Sequence, residues 1–294
     1  MSKVIYLEKT DIAATLTTWW YCLAWQLWAA EQIGRDDVYV NWPDKQKPGR
    51  CLQAYIDSNK FREEPNMFNW YFKQPKTQTP PPREQSEIWT WEGWQDPTLV
   101  AFMAQPLSVI KEYYKKHLHF NDATNLRGQA IVEKYGIDFS KTIGITWRGT
   151  DVYLDGRPRM PIETYFPFID DILEKQPDLR IAATAEEETI LDPLLARYPQ
   201  AFTISEFISS PFESKHNPER LSAVSGYERG LQPALMVWLF SKCAHYIKNR
   251  SSTGAVASWL SDGRIVSIGH PENLGFPANI PFAEIEGKLY PISI

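Results

Sequence analysis

An arginine ends the apolar run in TIGITWRGTD, residues 142–151. The run predicts a buried strand, so Arg148 is expected at the carboxyl end of that strand. A planar guanidinium in this position can bind a phosphate group through two parallel hydrogen bonds. Gly149 allows a close turn, while Thr150 and Asp151 can bond local amides, and Asp151 can also orient Arg148 through an ion pair. Spacing alone leaves open the alternative of a surface arginine that simply follows a strand.

Two serines and a threonine precede a predicted helix in IKNRSSTGAVASWL, residues 247–260. Hydroxyl groups in this position cap the first helical turn, and capping alone is one explanation for Ser251, Ser252 and Thr253. Free amides and the helix dipole also favour an anion there, so the same residues can hold a diphosphate. The sequence leaves both explanations open.

A third candidate lies in RIAATAEEE, residues 180–188, where a predicted strand gives way to an acidic helix start. Arg148, Thr184 and Ser252 are all expected in one crevice, because parallel strands end at one edge of a sheet and ligands bind outside their carboxyl ends. The alternative for the carboxylates is that they only complement the helix dipole.

The sequence predicts no metal site. Asp170 and Asp171 fall inside a helical pattern, PFIDDILEK, which does not suit a metal clamp. The five histidines lack metal-ligand spacing and neighbouring carboxylates or thiols, so all are interpreted as non-ligands. Arg157 and Arg159, in DGRPRMP, either extend a basic pocket or lie on a solvated loop.

Strands and helices alternate through the second half of the chain, which is typical of a parallel, doubly wound α/β sheet. The predicted order is TIGITW, PIETYFPFIDDILEKQ, LRIAAT, EEETILDPLLARYP, AFTIS, GLQPALMVWLFSKC, HYIKN, TGAVASWLS and RIVSIG. The first half predicts strand VIYL, a long buried helix ended by Gly34, strand VYVNW, and helical segments LVAFMAQPLSVIKEYYKKHLHF and NLRGQAIVEKYG. Between Pro43 and Pro97 the prolines predict an irregular excursion or lid. The domains are expected at 1–138 and 139–294.

Bulk composition excludes several classes of protein. A length of 294 residues favours two domains, and a net charge of −5 with a pI near 5.6 argues against nucleic-acid binding. Three distant cysteines predict reduced thiols in a cytoplasmic protein. A soluble chain is expected, because no signal-peptide pattern and no apolar run of about 18 residues occurs. Twelve tryptophans, most of them in the first hundred positions, either pack a core or form platforms for sugar rings.

These motifs resemble the three peptide motifs of the GDP-fucose-using fucosyltransferase superfamily, which includes α-1,6-, nodulation and protein O-fucosyltransferases. ITWRGTD is similar to the first motif, RIAATAEEETILDPLLARYP to the second and SKCAHYIKNRSSTGAVASWL to the third. Three features depart from the family. Thr146 replaces a histidine, and Ala185 replaces an aspartate, although Glu186 follows it. KTDIAATLTTW replaces a glycine-rich loop after the first strand.

The resemblance implies a GT-B fold, in which two Rossmann-like domains face each other across a cleft. It implies a metal-independent, inverting glycosyltransferase that needs no cofactor and moves a sugar from a GDP-sugar, most simply GDP-fucose, to a glycan hydroxyl. Arg148 would be the catalytic residue, because a fixed guanidinium stabilises charge on the departing diphosphate. The donor would be bound by the second domain through Arg148, Gly149, Thr150, Asp151, Thr184, Glu186, Ser251, Ser252 and Thr253. The tryptophan-rich first domain would lie on the acceptor side.

Several alternatives stay open. The chain is either a transferase, a catalytically inactive relative that binds carbohydrate or nucleotide, or a structural partner domain. The expected location is cytoplasmic, with peripheral attachment to the inner face of the membrane as a further option. The sequence assigns no general base for the acceptor proton.

Overall fold

The computed structural model describes residues 4–8, 16–42, 58–80, 82, 84, 86–90, 97–148, 160–207, 224–249, 251–269, 282–285 and 288–291. The chain divides into two compact units. The first unit comprises Met1–Gly128 and Leu221–Leu235, and the second comprises Gln129–Arg220 and Met236–Ile294. The assignment of acceptor and donor domains to 1–138 and 139–294 stays a prediction.

The first unit is built on a small parallel sheet. Its strands are β1 (Val4–Glu8), β2 (Val38–Asn41), β3 (Phe72–Lys73), β4 (Ser86–Thr90) and β5 (His119–Phe120). Its helices are α1 (Leu16–Gln32), α2 (Ser58–Glu63), α3 (Pro97–Met103), α4 (Leu107–His117) and the first turns of α5 (Asp122–Tyr135). The sheet has the order β2-β1-β4, with both pairs parallel, and β3 pairs with β5 separately.

Strand β4 corrects the expectation of an irregular excursion between Pro43 and Pro97. Residues Ser86–Thr90 pair with β1 along its whole length, so this segment extends the sheet. The sequence SEIWT is short and does not alternate polar and apolar residues, so it gives little strand signal beside the preceding prolines. Further short elements, α2 and β3, also lie within the excursion.

Local signals in the first unit act as predicted in several places. Gly34 has a φ of 70° and follows the end of α1, which is the left-handed geometry that favours glycine after a helix. The single helical segment predicted around residues 98–120 is two helices, because Pro106 stands at the N-cap of α4. Trp25, Trp42 and Trp70 are buried, so for these three tryptophans packing is the correct interpretation.

The second unit is built on a seven-stranded sheet. Its strands are β6 (Thr142–Trp147), β7 (Arg180–Ala185), β8 (Ala201–Thr203), β9 (His245–Asn249), β10 (Arg264–Gly269), β11 (Phe282–Ile285) and β12 (Lys288–Pro291). Its helices are the end of α5, α6 (Phe166–Lys175), α7 (Asp192–Arg197), the end of α8 (Gly226–Phe240) and α9 (Ser252–Leu260). The strand order is β12-β11-β10-β9-β6-β7-β8.

Five neighbouring strands of this sheet are parallel, as the sequence predicts. Counted along the chain from β6 to β10, their spatial order is 3-2-1-4-5, which is the order of a doubly wound sheet. The order reverses between β6 and β9. Ligands of such sheets bind at this switch point, beyond the carboxyl ends of the strands.

Helices cover both faces of the sheet. On one face, side chains of β6, β7, β9 and β10 form an apolar core with residues from α6 and α7, including Ile169 and Leu194. On the other face, Phe240 at the end of α8 stacks on Tyr246 of β9 at 5.6 Å. Gly144 of β6 allows this contact, because a Cβ there would lie 2.6 Å from the Phe240 ring.

Two features of the second unit differ from the sequence prediction. The helix predicted from Glu186 begins at Asp192, after a 3₁₀ turn at Glu188–Leu191, so Glu186 and Glu187 precede the turn. The antiparallel hairpin of β11 and β12 was not predicted. Among the helices in the described ranges, none is long and apolar enough to cross a membrane.

Candidate functional site

A row of buried polar side chains crosses the second unit's sheet near the carboxyl ends of its central strands. Thr146 of β6 is in register with Thr184 of β7 and Lys248 of β9, and all three residues are buried. The Thr146 hydroxyl lies 2.8 Å from the hydroxyl of Tyr246. Because alternate residues of a strand share a face, this contact assigns the row to the face covered by the end of α8.

Arg148 directly follows the end of β6, two residues after Thr146. Its side chain is 19% exposed, and its Nε lies 3.5 Å from Oε1 of Glu186, whose side chain is 12% exposed. Glu186 follows β7 in the corresponding position, so two parallel strands bring the pair together. A partly buried ion pair restricts the guanidinium more than a solvated pair would, because water screens it less. Glu186 is thus placed to orient Arg148, whereas Asp151, for which the sequence suggested that role, lies outside the described residues.

The backbone of Arg148 is held by Asn249, the last residue of β9. The Arg148 N–H donates to Asn249 Oδ1 at 2.9 Å, and Asn249 Nδ2 donates to the Arg148 carbonyl oxygen. Asn249 is buried, and both bonds are partly buried. The Asn249 side chain thus joins β6 and β9, the strands on either side of the switch point, where their main-chain pairing ends.

Helix α9 follows β9 closely along the chain, and its first turn lies against the side chain of Lys248. Ser251 is the N-cap, and its Oγ accepts a hydrogen bond from the Gly254 N–H at 2.9 Å. Capping is therefore one role of Ser251. Gly254 allows the helix to pack closely, because a Cβ there would lie 2.8 Å from Cδ of Lys248.

Two buried tyrosines support the end of β6 from opposite faces. The Tyr165 hydroxyl donates to the Thr146 carbonyl oxygen at 3.1 Å. Burial raises the pKa of Tyr165 far above its ordinary value. Burial likewise raises the pKa of Tyr246, although its bond to Thr146 acts in the opposite direction. Both phenols therefore stay protonated at neutral pH and act as neutral hydrogen-bonding groups.

The structure brings together part of the predicted site. Arg148, Thr184 and Glu186 lie at neighbouring strand ends on one sheet face, and Ser251 begins the helix that follows the next strand. Thr253 lies in the first turn of α9, as does the backbone of Ser252. Other predicted residues lie outside the described ranges: Gly149, Thr150, Asp151, Arg157 and Arg159.

Sequence reasoning missed Lys248, Asn249 and Tyr246. A signal was present, because Lys248 and Asn249 are two consecutive polar residues at the end of an otherwise buried strand. Buried polar residues in that position are unusual unless they are bonded or functional.

Acidic residues elsewhere in the second unit are engaged in ion pairs. Asp170 and Asp171 lie on α6, as predicted, and pair with Arg197 and Arg264 at 2.7 Å and 3.1 Å. Within the described residues, no group of three or more histidine, cysteine or acidic side chains is arranged to hold a metal ion. Cys243 is a free, buried thiol, and burial raises its pKa to about 12.

Comparison by sequence finds no match: no protein-family model matches the chain, and no curated protein matches it.

Comparison by structure finds fucosyltransferases. A structure of NodZ α-1,6-fucosyltransferase soaked with GDP-fucose matches with a TM-score of 0.51 and 14% identity, covering 99% of both chains. Fucosyltransferase NodZ from Bradyrhizobium matches with a TM-score of 0.50 and 13% identity over 100% of both chains. A mutant of Arabidopsis thaliana FUT1 in complex with GDP matches with a TM-score of 0.56 and 12% identity, covering 94% of this chain and 73% of the other. The resemblance predicted from the motifs is confirmed at the level of the fold.

Proposed function

We propose that the chain is a fucosyltransferase-like glycosyltransferase that moves a sugar from a GDP-sugar, with GDP-fucose as the first candidate, to a glycan hydroxyl. The observation that supports this most strongly is the position of Arg148. Its largely buried guanidinium stands at the end of β6, beside the point where the strand order reverses. The fold likeness to structures that contain GDP or GDP-fucose agrees with this choice of donor.

The proposed reaction exchanges one bond at the anomeric carbon for another. The bond from this carbon to the β-phosphate oxygen breaks, and its electron pair stays on the departing diphosphate. The acceptor oxygen forms a bond to the same carbon from the opposite side, which inverts its configuration, and the proton of the acceptor hydroxyl passes to water. Arg148 stabilises the negative charge that grows on the diphosphate, and a fixed guanidinium does this without reorganising in the transition state. The proposal includes no metal ion.

The proposed donor site surrounds Arg148 at the carboxyl ends of the strands. Thr184 and Glu186 lie on the same sheet face, and Glu186 orients the guanidinium through their ion pair. The start of α9 favours an anion through its free amides and its dipole. Gly149, Thr150 and Asp151 complete the proposed phosphate contacts, together with Ser251, Ser252 and Thr253.

The proposal also takes the two-domain GT-B arrangement from the resemblance, with a Rossmann-like donor domain. The glycan acceptor would lie on the side of the tryptophan-rich first domain, and the enzyme would act in the cytoplasm. The domain arrangement, the acceptor side and the location go beyond the fold likeness and belong to the proposed function.

A second candidate is a relative that binds a nucleotide but transfers nothing. Thr146 favours this second candidate, because it replaces the family's histidine and its hydroxyl is buried against Tyr246. The position of the family's aspartate is likewise occupied by the buried Ala185.

A panel of nucleotide sugars tests both candidates. We expect GDP-fucose to donate fucose to an oligosaccharide acceptor without added metal, and GDP to raise the melting temperature more than UDP or ADP, since a ligand of the native state stabilises it. Stabilisation by GDP with no transfer from any donor would favour the inactive relative. No stabilisation by any nucleotide would refute both candidates.

A further inference from the structure

The junction between β6 and β9 is held by side chains beyond the end of its main-chain ladder. The register of these parallel strands ends with Thr146 opposite Lys248. Beyond this pair, the main-chain N–H and C=O of Arg148 bond to the carboxamide of Asn249. The hydroxyl of Tyr165 bonds to the Thr146 carbonyl oxygen and lies within reach of the Asn249 main-chain amide.

The carboxamide of Asn249 suits this position for a chemical reason. It presents one acceptor and one donor side by side, so it bonds the N–H and the C=O of the same residue. An aspartate of the same shape would offer only acceptors, and its charge would face the Arg148 carbonyl oxygen. An alanine would leave both main-chain groups of Arg148 without these partners at a partly buried position.

Two bonds to one residue's main chain restrict the backbone of that residue. Arg148 therefore begins its long side chain from a fixed point, and Glu186 restrains the other end through Nε. A charged group stabilises a transition state most when it is aligned before the reaction begins. A small displacement of that group therefore lowers the reaction rate.

We propose that Asn249 is the positioning residue of Arg148: its carboxamide fixes the backbone from which the guanidinium reaches the donor diphosphate. The diphosphate part of this inference rests on the proposed function, whereas the restraint of Arg148 does not. The experiment therefore needs one readout without a ligand and one with GDP.

The first readout is the Nε–H signal of Arg148 in ¹⁵N-arginine-labelled full-length protein, assigned by its loss in Arg148→Ala. In Asn249→Ala and in Asn249→Asp, we expect this signal to shift or to broaden beyond detection. The matched control is Asn66→Ala. The Asn66 carboxamide is also buried, accepts from the Trp42 N–H at 3.0 Å and donates to the Val40 carbonyl oxygen at 2.6 Å, but in the first unit. This control should lower the melting temperature and leave the Arg148 signal unchanged.

The second readout is a double-mutant cycle on GDP affinity. We expect Asn249→Ala to weaken GDP binding about tenfold in the wild-type background, because the guanidinium loses its alignment. In the Arg148→Ala background the same change should alter affinity by less than about twofold, because Asn249 acts through Arg148. Asn249→Asp repeats both measurements if Asn249→Ala fails to fold.

The outcomes separate the two claims. An unchanged Arg148 signal in folded Asn249 variants would overturn the positioning role, as would an equal loss of GDP affinity in both backgrounds. If wild-type protein binds no GDP, the proposed function fails, and the ligand-free Arg148 signal still decides whether Asn249 positions the arginine.

Discussion

The two faces of the second unit's sheet differ most at the carboxyl ends of the strands. On the face under α6 and α7, strands β6, β7 and β10 carry apolar residues at or next to their ends, namely Trp147, Ala185 and Ile268. On the opposite face, β6 and β7 are polar at their second-to-last residues, Thr146 and Thr184, with Arg148 and Glu186 beyond. Because neighbouring residues of one strand point to opposite faces, six-residue strands supply both a core and a candidate site.

This difference shows that burial alone does not distinguish the two roles. Ile145 and Thr146 are adjacent and both are buried, yet one packs in a core and the other belongs to a polar row. A polar side chain is buried at a cost unless it is bonded, so a whole buried row needs a compensating network or ligand. The comparison therefore predicts that substitutions on one face change stability and that substitutions on the other change ligand binding.

The largest effect is expected from Arg148→Ala. Loss of the guanidinium should lower the turnover of transfer by at least about a hundredfold, because one charge-stabilising group in a reaction site contributes about that much. Arg264→Ala removes an arginine at the amino end of β10, where Arg264 pairs with Asp171, and should leave turnover within a small factor. Initial rates with GDP-fucose, together with circular dichroism of each variant, check this. Normal turnover in folded Arg148→Ala would contradict the assignment.

A polar substitution on the apolar face and an apolar substitution on the polar face should have opposite effects on stability and GDP affinity. Ile145→Thr places a hydroxyl in the apolar core and should reduce the free energy of unfolding by about 2–4 kcal/mol, with GDP affinity unchanged. Thr184→Val should change the free energy of unfolding by less than about 1 kcal/mol and weaken GDP binding. Urea unfolding and calorimetric titration measure the two quantities. If Thr184→Val lowers only stability, the polar row is part of the core rather than the site.

Gly144 on the polar face and Gly254 in the helix packed against Lys248 should also differ. Gly144→Ala would put a Cβ 2.6 Å from the Phe240 ring and 3.1 Å from the Cys243 sulfur, so we expect a loss of about 1–3 kcal/mol in unfolding free energy. In Gly254→Ala the nearest atoms belong to longer or smaller side chains, Cδ of Lys248 at 2.8 Å and Oγ of Ser251 at 3.0 Å, which can shift more easily than a packed ring. This variant should keep its melting temperature and lose GDP affinity. Equal losses of stability in both variants would remove the distinction.

The smallest effect is expected from Ser251→Ala. Loss of the N-cap bond to the Gly254 N–H should cost about 1 kcal/mol of unfolding free energy. Ser258→Ala is a matched control on the same helix, because the Ser258 hydroxyl donates to a carbonyl oxygen within α9, that of Ala255. Thermal unfolding compares the variants, and GDP titration of Ser251→Ala shows whether its hydroxyl also has a role in donor binding. A stability equal to that of wild type would contradict the capping role.

The sequence predicted the elements that depend on local patterns. Apolar runs and helical periodicity located β6, β7, β9 and β10, and the abrupt end of an apolar run located Arg148. These signals are local, because alternation, turn residues and strand ends leave a mark within a few residues.

The sequence did not predict features that depend on distant pairing. The bond between Asn249 and Arg148 joins residues about one hundred positions apart and exists only because β6 and β9 are neighbours in the sheet. Strand β4 pairs with β1 across a similar gap, and its short polar sequence between prolines resembles a loop. Both contacts depend on which strands are neighbours in the sheet, and a local sequence pattern does not indicate strand order.

Titration of GDP into wild-type protein and into Arg148→Ala, followed by calorimetry, tests the central claim most directly. The claim is that the polar end of one sheet face binds a diphosphate through Arg148. It predicts saturable binding of GDP by the wild type and an affinity at least about tenfold lower in folded Arg148→Ala, since a charge-assisted pair is lost. Absence of binding to the wild type, or equal affinity of the two proteins, would contradict it.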